Sequence, residues 1–313
     1  MSGQQIFSDS FIAFGVQCDV VFPGTDADQA KELLQNIKKN ISQIELAVSR
    51  SEEVAEIWQV NRATKGEWIE VTDDLLELLN FSKNFYEMSN GALDVTIAPL
   101  VRLWEDGNDP SEKEIEEAKL RCGLDQLDID DEQQSLMFLT DGIELDFSVL
   151  EKAYALDILK QELSQMDGLN GIISFEEEAV LALGKHPGGD DWPVGIRNLK
   201  QPEEFNHVFE LSNQSMVTSG TAYLNFDTGE MNDRLIISPE SGYPVEGQKT
   251  VTVKAGSALM AAFISHIWLI LPEQDKSIIA DQLENIEIFE TEYISNDMNT
   301  KHTIIEGGND YDE

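Results

Sequence analysis

Three short stretches of this chain bring together side chains that could do chemistry. In Ser89-Asn90-Gly91-Ala92-Leu93-Asp94-Val95-Thr96, the carboxylate of Asp94 and the hydroxyl of Thr96 stand two residues apart. On an extended strand both would project from one face and converge on a ligand. Asp146 stands at an expected strand-to-helix junction with Lys152 shortly after it, and Thr218-Ser219-Gly220 offers two hydroxyls and a small-residue turn. Each has a plainer reading. Asp94 to Thr96 also fits a strand entering a helix with a capping Thr, and Asp146 also fits a helix cap beside an ordinary surface Lys152. Thr218-Ser219-Gly220 reads first as a turn between strands, and otherwise as a loop whose amides face an anion. The histidines His186, His207, His266 and His302 are dispersed with no metal-ligand spacing, and His266 reads as a core residue of an apolar helix. No Gly-rich phosphate loop or nucleophile elbow is present, so no catalytic residue is assigned from pattern.

These residues need elements to position them. Alternation of Phe14, Val16, Cys18, Val20 and Phe22 predicts a strand from Phe11 to Phe22, ended by Pro23-Gly24. Asp26 then caps a helix striped by Ala30, Leu33, Leu34, Ile37, Ile41 and Ile44. A loop follows at Ser49-Arg50-Ser51. Thr72 opens a second helix through Phe85 that stops near Asn90-Gly91 and delivers the chain to the Asp94 segment, beyond which Pro99 ends ladder pairing and Trp104 offers a flat apolar wall.

Ser111 with Glu114 forms a capping box for a short acidic helix ending near Cys122-Gly123, read as a solvated face. Strands at Leu127 and at Leu136 to Leu139 precede the Asp141-Gly142 turn, and a helix runs from about Val149 to Met166. Strands at Gly171 to Phe175, Ala179 to Leu183 and Val194 to Ile196 suggest an antiparallel meander. Ala258 to Leu271 is too short to span a bilayer and reads as a buried helix.

The chain has 313 residues and 41% hydrophobic content, enough for a large core. Sixty acidic against twenty-one basic residues give a formal charge of -39, which opposes binding to nucleic-acid backbones and anionic membrane surfaces. Cys18 and Cys122 are too few for a disulfide framework and are expected as buried thiols. Met1 to Asp9 lacks the features of a leader, so a cytoplasmic location without membrane insertion is expected. With no linker or internal repeat, the expected architecture is one compact α+β domain over 1–306, followed by an acidic, frayed tail over 307–313.

Several segments, in order, resemble the ApbE-type flavin transferases, the FAD:protein FMN transferases. Gly91-Ala92-Leu93-Asp94-Val95-Thr96 with Pro99, Leu100 and Trp104 resembles that family's Gly-Ala-Phe-Asp-x-Thr segment. Asp146-Phe147-Ser148-Val149-Leu150-Glu151-Lys152-Ala153-Tyr154-Ala155 is similar to its Asp-Leu-Ser/Gly-x-x-Ala-Lys-Gly-Tyr-Ala. Trp192-Pro193-Val194-Gly195-Ile196, Thr218-Ser219-Gly220, Pro239-Glu240-Ser241-Gly242-Tyr243-Pro244 and Val251-Thr252-Val253 complete the series. The resemblance implies a largely antiparallel, T-fold-related α+β domain. It also implies FAD as substrate, magnesium, and transfer of FMN to a Ser or Thr of an acceptor protein. By the same resemblance Ala92, Leu93, Asp94, Thr96, Asp146, Lys152, Ser219 and Gly220 would contact the flavin nucleotide. The metal would sit between the Val149 carbonyl and two side chains of the C-terminal helix.

Departures from the family pattern cluster where metal, pyrophosphate and proton transfer are handled. The helix that should carry Asp and, four residues on, Thr has Ala262 and His266, and imidazole suits magnesium poorly. His-Ile-Ile-Asp-Pro is Leu235-Ile236-Ile237-Ser238-Pro239, and the acid usual after Thr-Ser-Gly is Thr221. Asn-x-Gly-Gly-Asp is Ser174-Phe175-Glu176-Glu177-Glu178, whose bulky acids are expected to crowd and repel an anionic ligand. At the N-terminal strand, Phe14-Gly15-Val16 stands for Met-Gly-Thr. The expectation is a family member with reduced or lost catalysis and no bound magnesium. The alternatives are transfer retained through recruited ligands such as His266 or Glu176 to Glu178, and an inactive flavin-binding or protein-interaction module.

Overall fold

In the computed structural model, which describes residues 6–49, 53–176, 178–225, 228–294 and 297–306, the chain is α+β with antiparallel sheets. The strands begin with β1 (Ile6–Ala13) and β2 (Val16–Pro23), followed by helices α1 (Ala27–Val48) and α2 (Glu56–Val60). Next come β3 (Trp68–Glu70), α3 (Asp73–Met88), α4 (Ala98–Trp104), α5 (Glu112–Lys119), β4 (Leu127–Asp130) and β5 (Ser135–Phe138). Helix α6 (Glu151–Leu163) leads to β6 (Gly171–Phe175), β7 (Ala179–Leu183), β8 (Trp192–Arg197), β9 (Phe205–Leu211) and β10 (Gln214–Gly220). The chain ends in β11 (Ala222–Asn225), β12 (Glu230–Asp233), β13 (Gln248–Ala255), α7 (Ala258–Ile270), α8 (Glu273–Ala280), β14 (Ile286–Ile294) and β15 (Asp297–Ile305).

Within the α+β chain, contacts gather into two compact units. One holds residues 1–41, 152–234 and 247–313, and the other holds 42–151 and 235–246. The first is built on an eight-stranded sheet in the order β1-β2-β6-β7-β10-β13-β14-β15, with β8–β9 and β11–β12 as separate hairpins. The strand expected from Phe11 to Phe22 is in fact a hairpin. Phe14 and Gly15 both take positive φ, 49° and 73°, and pair Ala13 with Val16 across a two-residue turn. A Phe in the left-handed region is rare, which is why pattern alone runs through it. Its ring meets Phe175 edge-on, with centroids 5.6 Å apart.

Helix α7 packs against β10 and β13 and buries Leu259, Phe263, Ile264, Ile267 and Trp268. At 13 residues it is a core element, and no helix among the described residues is long and apolar enough to cross a membrane. Its start is held by more than Ser257, whose hydroxyl accepts the Met260 amide. The Asp157 carboxylate of α6 accepts from the Ser257 hydroxyl at 2.6 Å and from the amides of Ala258 and Leu259 at 2.7 and 2.9 Å. An anion satisfies orphan amides where the helix dipole is positive. On the far part of the sheet, His207 of β9 stacks on Phe289 of β14 with centroids 4.7 Å apart and seats the β8–β9 hairpin.

The second unit carries the three-stranded sheet β3-β5-β4 and helices α2 to α5. Thr72 caps α3, and Ser111 with Glu114 forms the expected capping box of α5, though the helix ends at Lys119 rather than near Cys122. Leu100, Ile115, Ala118 and Ile237 form a buried cluster. The turn at Gly242 is driven into it so closely that a Cβ there would lie 2.4 Å from Ile115. Trp104 donates its indole N–H to the Gly242 carbonyl at 2.9 Å, so the apolar wall expected beyond Pro99 is a clamp on this turn.

Asp157→Ala should lower stability by about 2 kcal/mol, the usual scale for a lost helix cap and charge-assisted hydrogen bonds. Calorimetry is expected to show a melting temperature several degrees lower, with Asp157→Asn between the two. An unchanged melting temperature would mean that Ser257 alone caps α7.

Candidate functional site

In the second unit, the segment before α4 is a turn and not the expected strand. Asp94 Oδ1 accepts the Thr96 amide at 2.8 Å and its hydroxyl at 2.6 Å, and the Thr96 oxygen in turn accepts the Gly123 amide at 2.6 Å. Thr96 is fully buried and Asp94 nearly so. Pro99 sits in the first turn of α4, where its missing N–H costs nothing, rather than closing a ladder. Burial pushes the Asp94 carboxyl above its ordinary value, partly offset by the Thr96 hydroxyl and amide. Burial and then nearby Asp94 push the Cys122 thiol up to about 12, so it is no nucleophile.

Ala92 and Leu93 are buried, and their amides donate to the Ser89 carbonyl and hydroxyl. Asp146, also buried, donates its amide to the Val95 carbonyl at 2.6 Å and accepts the Ser148 amide at 2.9 Å. The two sequence candidates Asp94 and Asp146 are thereby tied into one backbone junction. Val149 lies half-buried in the turn that follows.

In the first unit, Thr218, Ser219 and Gly220 form the last residues of β10, paired with Thr252, Val251 and Thr250 of β13, and not a turn. Gly220 is required by packing, because a Cβ there would lie 2.8 Å from the carbonyl oxygens of both Ala222 and Lys249. Ser219 shares a 2.8 Å hydroxyl contact with Ser265 of α7. Thr221, standing where the resemblance implies an acid, donates its hydroxyl to the Gly247 carbonyl and accepts the Lys249 amide. Ala262 presents a buried methyl, its carbonyl accepts the Ser265 hydroxyl, and His266 is half-buried one residue further along α7.

A cleft of about 290 Å³ opens on this unit, lined by strands β6, β7, β8, β10 and β11. Its wall is apolar, with Ile172, Val194, Ile196, Met216 and Leu224, and its polar end holds Glu176, Glu178, Thr218 and Arg234. Lys152 reaches Glu178 Oε2 at 3.3 Å, and Arg234 donates to Glu178 Oε1. Burial pushes the Glu178 carboxyl up, but Lys152 and Arg234 outweigh it and hold the group below its ordinary value. The expectation of crowding, repelling acids is therefore corrected for Glu178, whose charge is taken up by two cations. Glu176 holds the positive φ, 47°, that a glycine would take at the β6–β7 turn. Glu177, like the Ser49-Arg50-Ser51 loop apart from Ser49 and the 307–313 tail, lies outside the described residues.

Arg234 is the residue that sequence reasoning passed over. The available signal was its place directly before Leu235-Ile236-Ile237-Ser238-Pro239, but its pairing with Glu178 depends on two segments far apart in the chain. Among the described residues no three His, Cys, Asp or Glu side chains converge as metal ligands.

The antiparallel α+β fold, the cleft and the motif-bearing segments define a class, and comparison with known proteins agrees with it. The ApbE family model matches residues 14–289, and the chain belongs to that family. It is 26% identical to a Haemophilus influenzae FAD:protein FMN transferase over 71% of this chain and 66% of that protein. To the Escherichia coli K12 FAD:protein FMN transferase it is 25% identical over 82% and 76%. In fold it is similar to the flavin transferase ApbE of Vibrio cholerae, with a TM-score of 0.80, 18% identity and coverage of 96% and 97%. A Thermotoga maritima ApbE protein superposes with a TM-score of 0.81 at 22% identity over 96% and 97%.

Because the folded-state value of Glu178 is depressed, its ion pairs stabilise the protein above the ordinary carboxylate range and are lost as pH falls through the lower folded value. Glu178→Gln should cost on the order of 1–2 kcal/mol at neutral pH. Urea titrations are expected to show that the difference from wild type is constant above about pH 5 and shrinks below the carboxylate's ordinary value. An equal difference at pH 3 and pH 7 would place the effect outside these pairs.

Proposed function

We propose that this chain is a flavin-binding ApbE-family protein whose FAD:protein FMN transferase activity is reduced or lost. The observation that carries the proposal is on α7. Magnesium favours oxygen ligands in a near-octahedral set. At the two helix positions where the resemblance implies a carboxylate and a hydroxyl, Ala262 offers a buried methyl and His266 an imidazole. These residues do not fit magnesium.

Flavin binding is supported by Ala92, Asp94, Thr96, Asp146, Lys152, Ser219 and Gly220, which retain the family pattern, and by Leu93, apolar where the pattern has Phe. The apolar cleft is large enough for part of a planar ring system. Pro193-Val194-Gly195-Ile196 of the Trp192 motif supplies the β8 side of that cleft. Any residual transfer would place FMN on a Ser or Thr of an acceptor protein, in the cytoplasm, with residues 1–306 acting as the family domain.

Isothermal titration of FAD with and without magnesium tests this. Magnesium-independent binding without AMP release is the expected result, and tight magnesium-dependent binding followed by AMP release would overturn the loss of catalysis. Ala262→Asp combined with His266→Thr is expected to raise magnesium affinity about tenfold or more, the scale of added metal ligation. Absence of FAD and FMN binding at high concentration would remove the flavin reading.

A further inference from the structure

His207 and His302 lie far apart in sequence, and the fold sets their ring centroids 4.6 Å from each other. His207 belongs to β9, in a β8–β9 hairpin that, among the described residues, pairs with no strand of the eight-stranded sheet. Side chains hold it there instead. The Trp192 indole donates to the Leu183 carbonyl at 3.1 Å, and the Leu199 amide and the Asn206 side chain each donate to the Tyr293 hydroxyl at 3.3 Å. Between those ties His207 stacks on Phe289 of β14 and meets Phe209 edge-on, each centroid 4.7 Å away. Ile196 stands opposite His207 in the hairpin, and Val194, Gly195 and Ile196 wall the cleft. The seat of His207 is therefore also the seat of that wall.

Charge reaches His207 from three strands of the sheet. His302 of β15 places Nε2 3.4 Å from Glu287 Oε2 on β14, and Lys254 of β13 donates to Glu287 Oε1 at 2.6 Å. One carboxylate thus already serves two partners. A proton on His302 is matched by Glu287, whereas a second proton, on His207, adds a cation beside His302 and Lys254 with no carboxylate of its own. The Phe289 ring face returns only part of the hydration such a cation loses. The chain neighbours of His207, Asn206 and Val208, are uncharged. Burial first and His302 next hold His207 below the ordinary histidine value; Glu287 opposes them and Lys254 adds to them.

We propose that the His207–His302 pair is a pH-sensitive latch, which holds the β8–β9 hairpin on the sheet while His207 is neutral and loosens it, with the cleft wall, when both rings carry a proton. Because the seated value of His207 is lowered, the seat is fully stable above the ordinary histidine value of about 6.5 and weakens as pH falls from there toward the lower seated value. The ties at Trp192 and Tyr293 contain no group whose ordinary value lies in this range, so the response is a local opening and not unfolding. The latch goes beyond the flavin reading and does not rest on it.

Hydrogen–deuterium exchange of the full chain without ligand, at about pH 7.5 and about pH 5.5 and corrected for intrinsic exchange, tests the latch. Amides of β8 and β9 are expected to open about tenfold more at the lower pH, reversibly, while those of β10 and β13 keep their protection. His207→Phe leaves an aromatic ring on Phe289 and should abolish the difference, and His302→Gln should reduce it by about threefold or more. Equal pH responses in wild type and folded His207→Phe, or protection lost equally over β8, β9, β10 and β13, would overturn the proposal. Should the variants not fold, an NMR titration of wild-type His207 decides, since its midpoint must lie below the ordinary histidine value and a midpoint at or above it overturns the latch. Fluorescence titration of FAD at the same two pH values is a separate arm, in which affinity should fall about tenfold at the lower pH in wild type and stay constant in His207→Phe. Absence of flavin binding at both pH values would overturn the flavin reading and leave the latch to the exchange result.

Discussion

One carboxylate organises the polar end of the first unit. Through its side chain Glu178 joins Lys152 on α6 to Arg234 after β12, and through its backbone it joins the β6–β7 turn to β10. Two cations held near each other without an anion would repel, and a half-buried carboxylate without cations would be costly. The three groups are therefore stable only together. That requirement positions four segments that are distant in sequence around one end of the cleft.

The same logic recurs at the start of α7 and in the turn before α4. Asp157 receives two helix amides and a hydroxyl, and Asp94 receives the amide and hydroxyl of Thr96. In each case a carboxylate, half-buried at Asp157 and buried at Asp94, is given enough donors to remain in place. At Asp94 this means that two side chains suited to ligand chemistry also bear a local structural load, since Thr96 spends its hydrogen on Asp94 and accepts from Gly123.

Much of the scaffold was legible in the residues. Caps at Asp26, Thr72 and Ser111 appear where the sequence places them, because each depends on neighbours within three residues. The apolar helix at α7 follows from composition alone. Failures have a common cause. Phe14 occupies a turn conformation its type disfavours, and the β10 end at Thr218-Ser219-Gly220 looks like a turn until β13 pairs with it. Helix α8 and the long β14–β15 hairpin carried no signal strong enough to be singled out.

By itself the sequence determined the α+β class, the capped helices, the family resemblance later borne out by the match over residues 14–289, and the identities of Ala262 and His266. These depend on residue type and on short-range periodicity, both readable without a fold. Tertiary structure alone decided that Glu178 is shared between Lys152 and Arg234, that Gly220 is walled in by two carbonyls, and that Trp104 clamps the Gly242 turn. Apart from the Ala222 carbonyl beside Gly220, those contacts join residues tens of positions apart, and whether a charge is neutralised depends on what the fold sets within hydrogen-bonding distance of it.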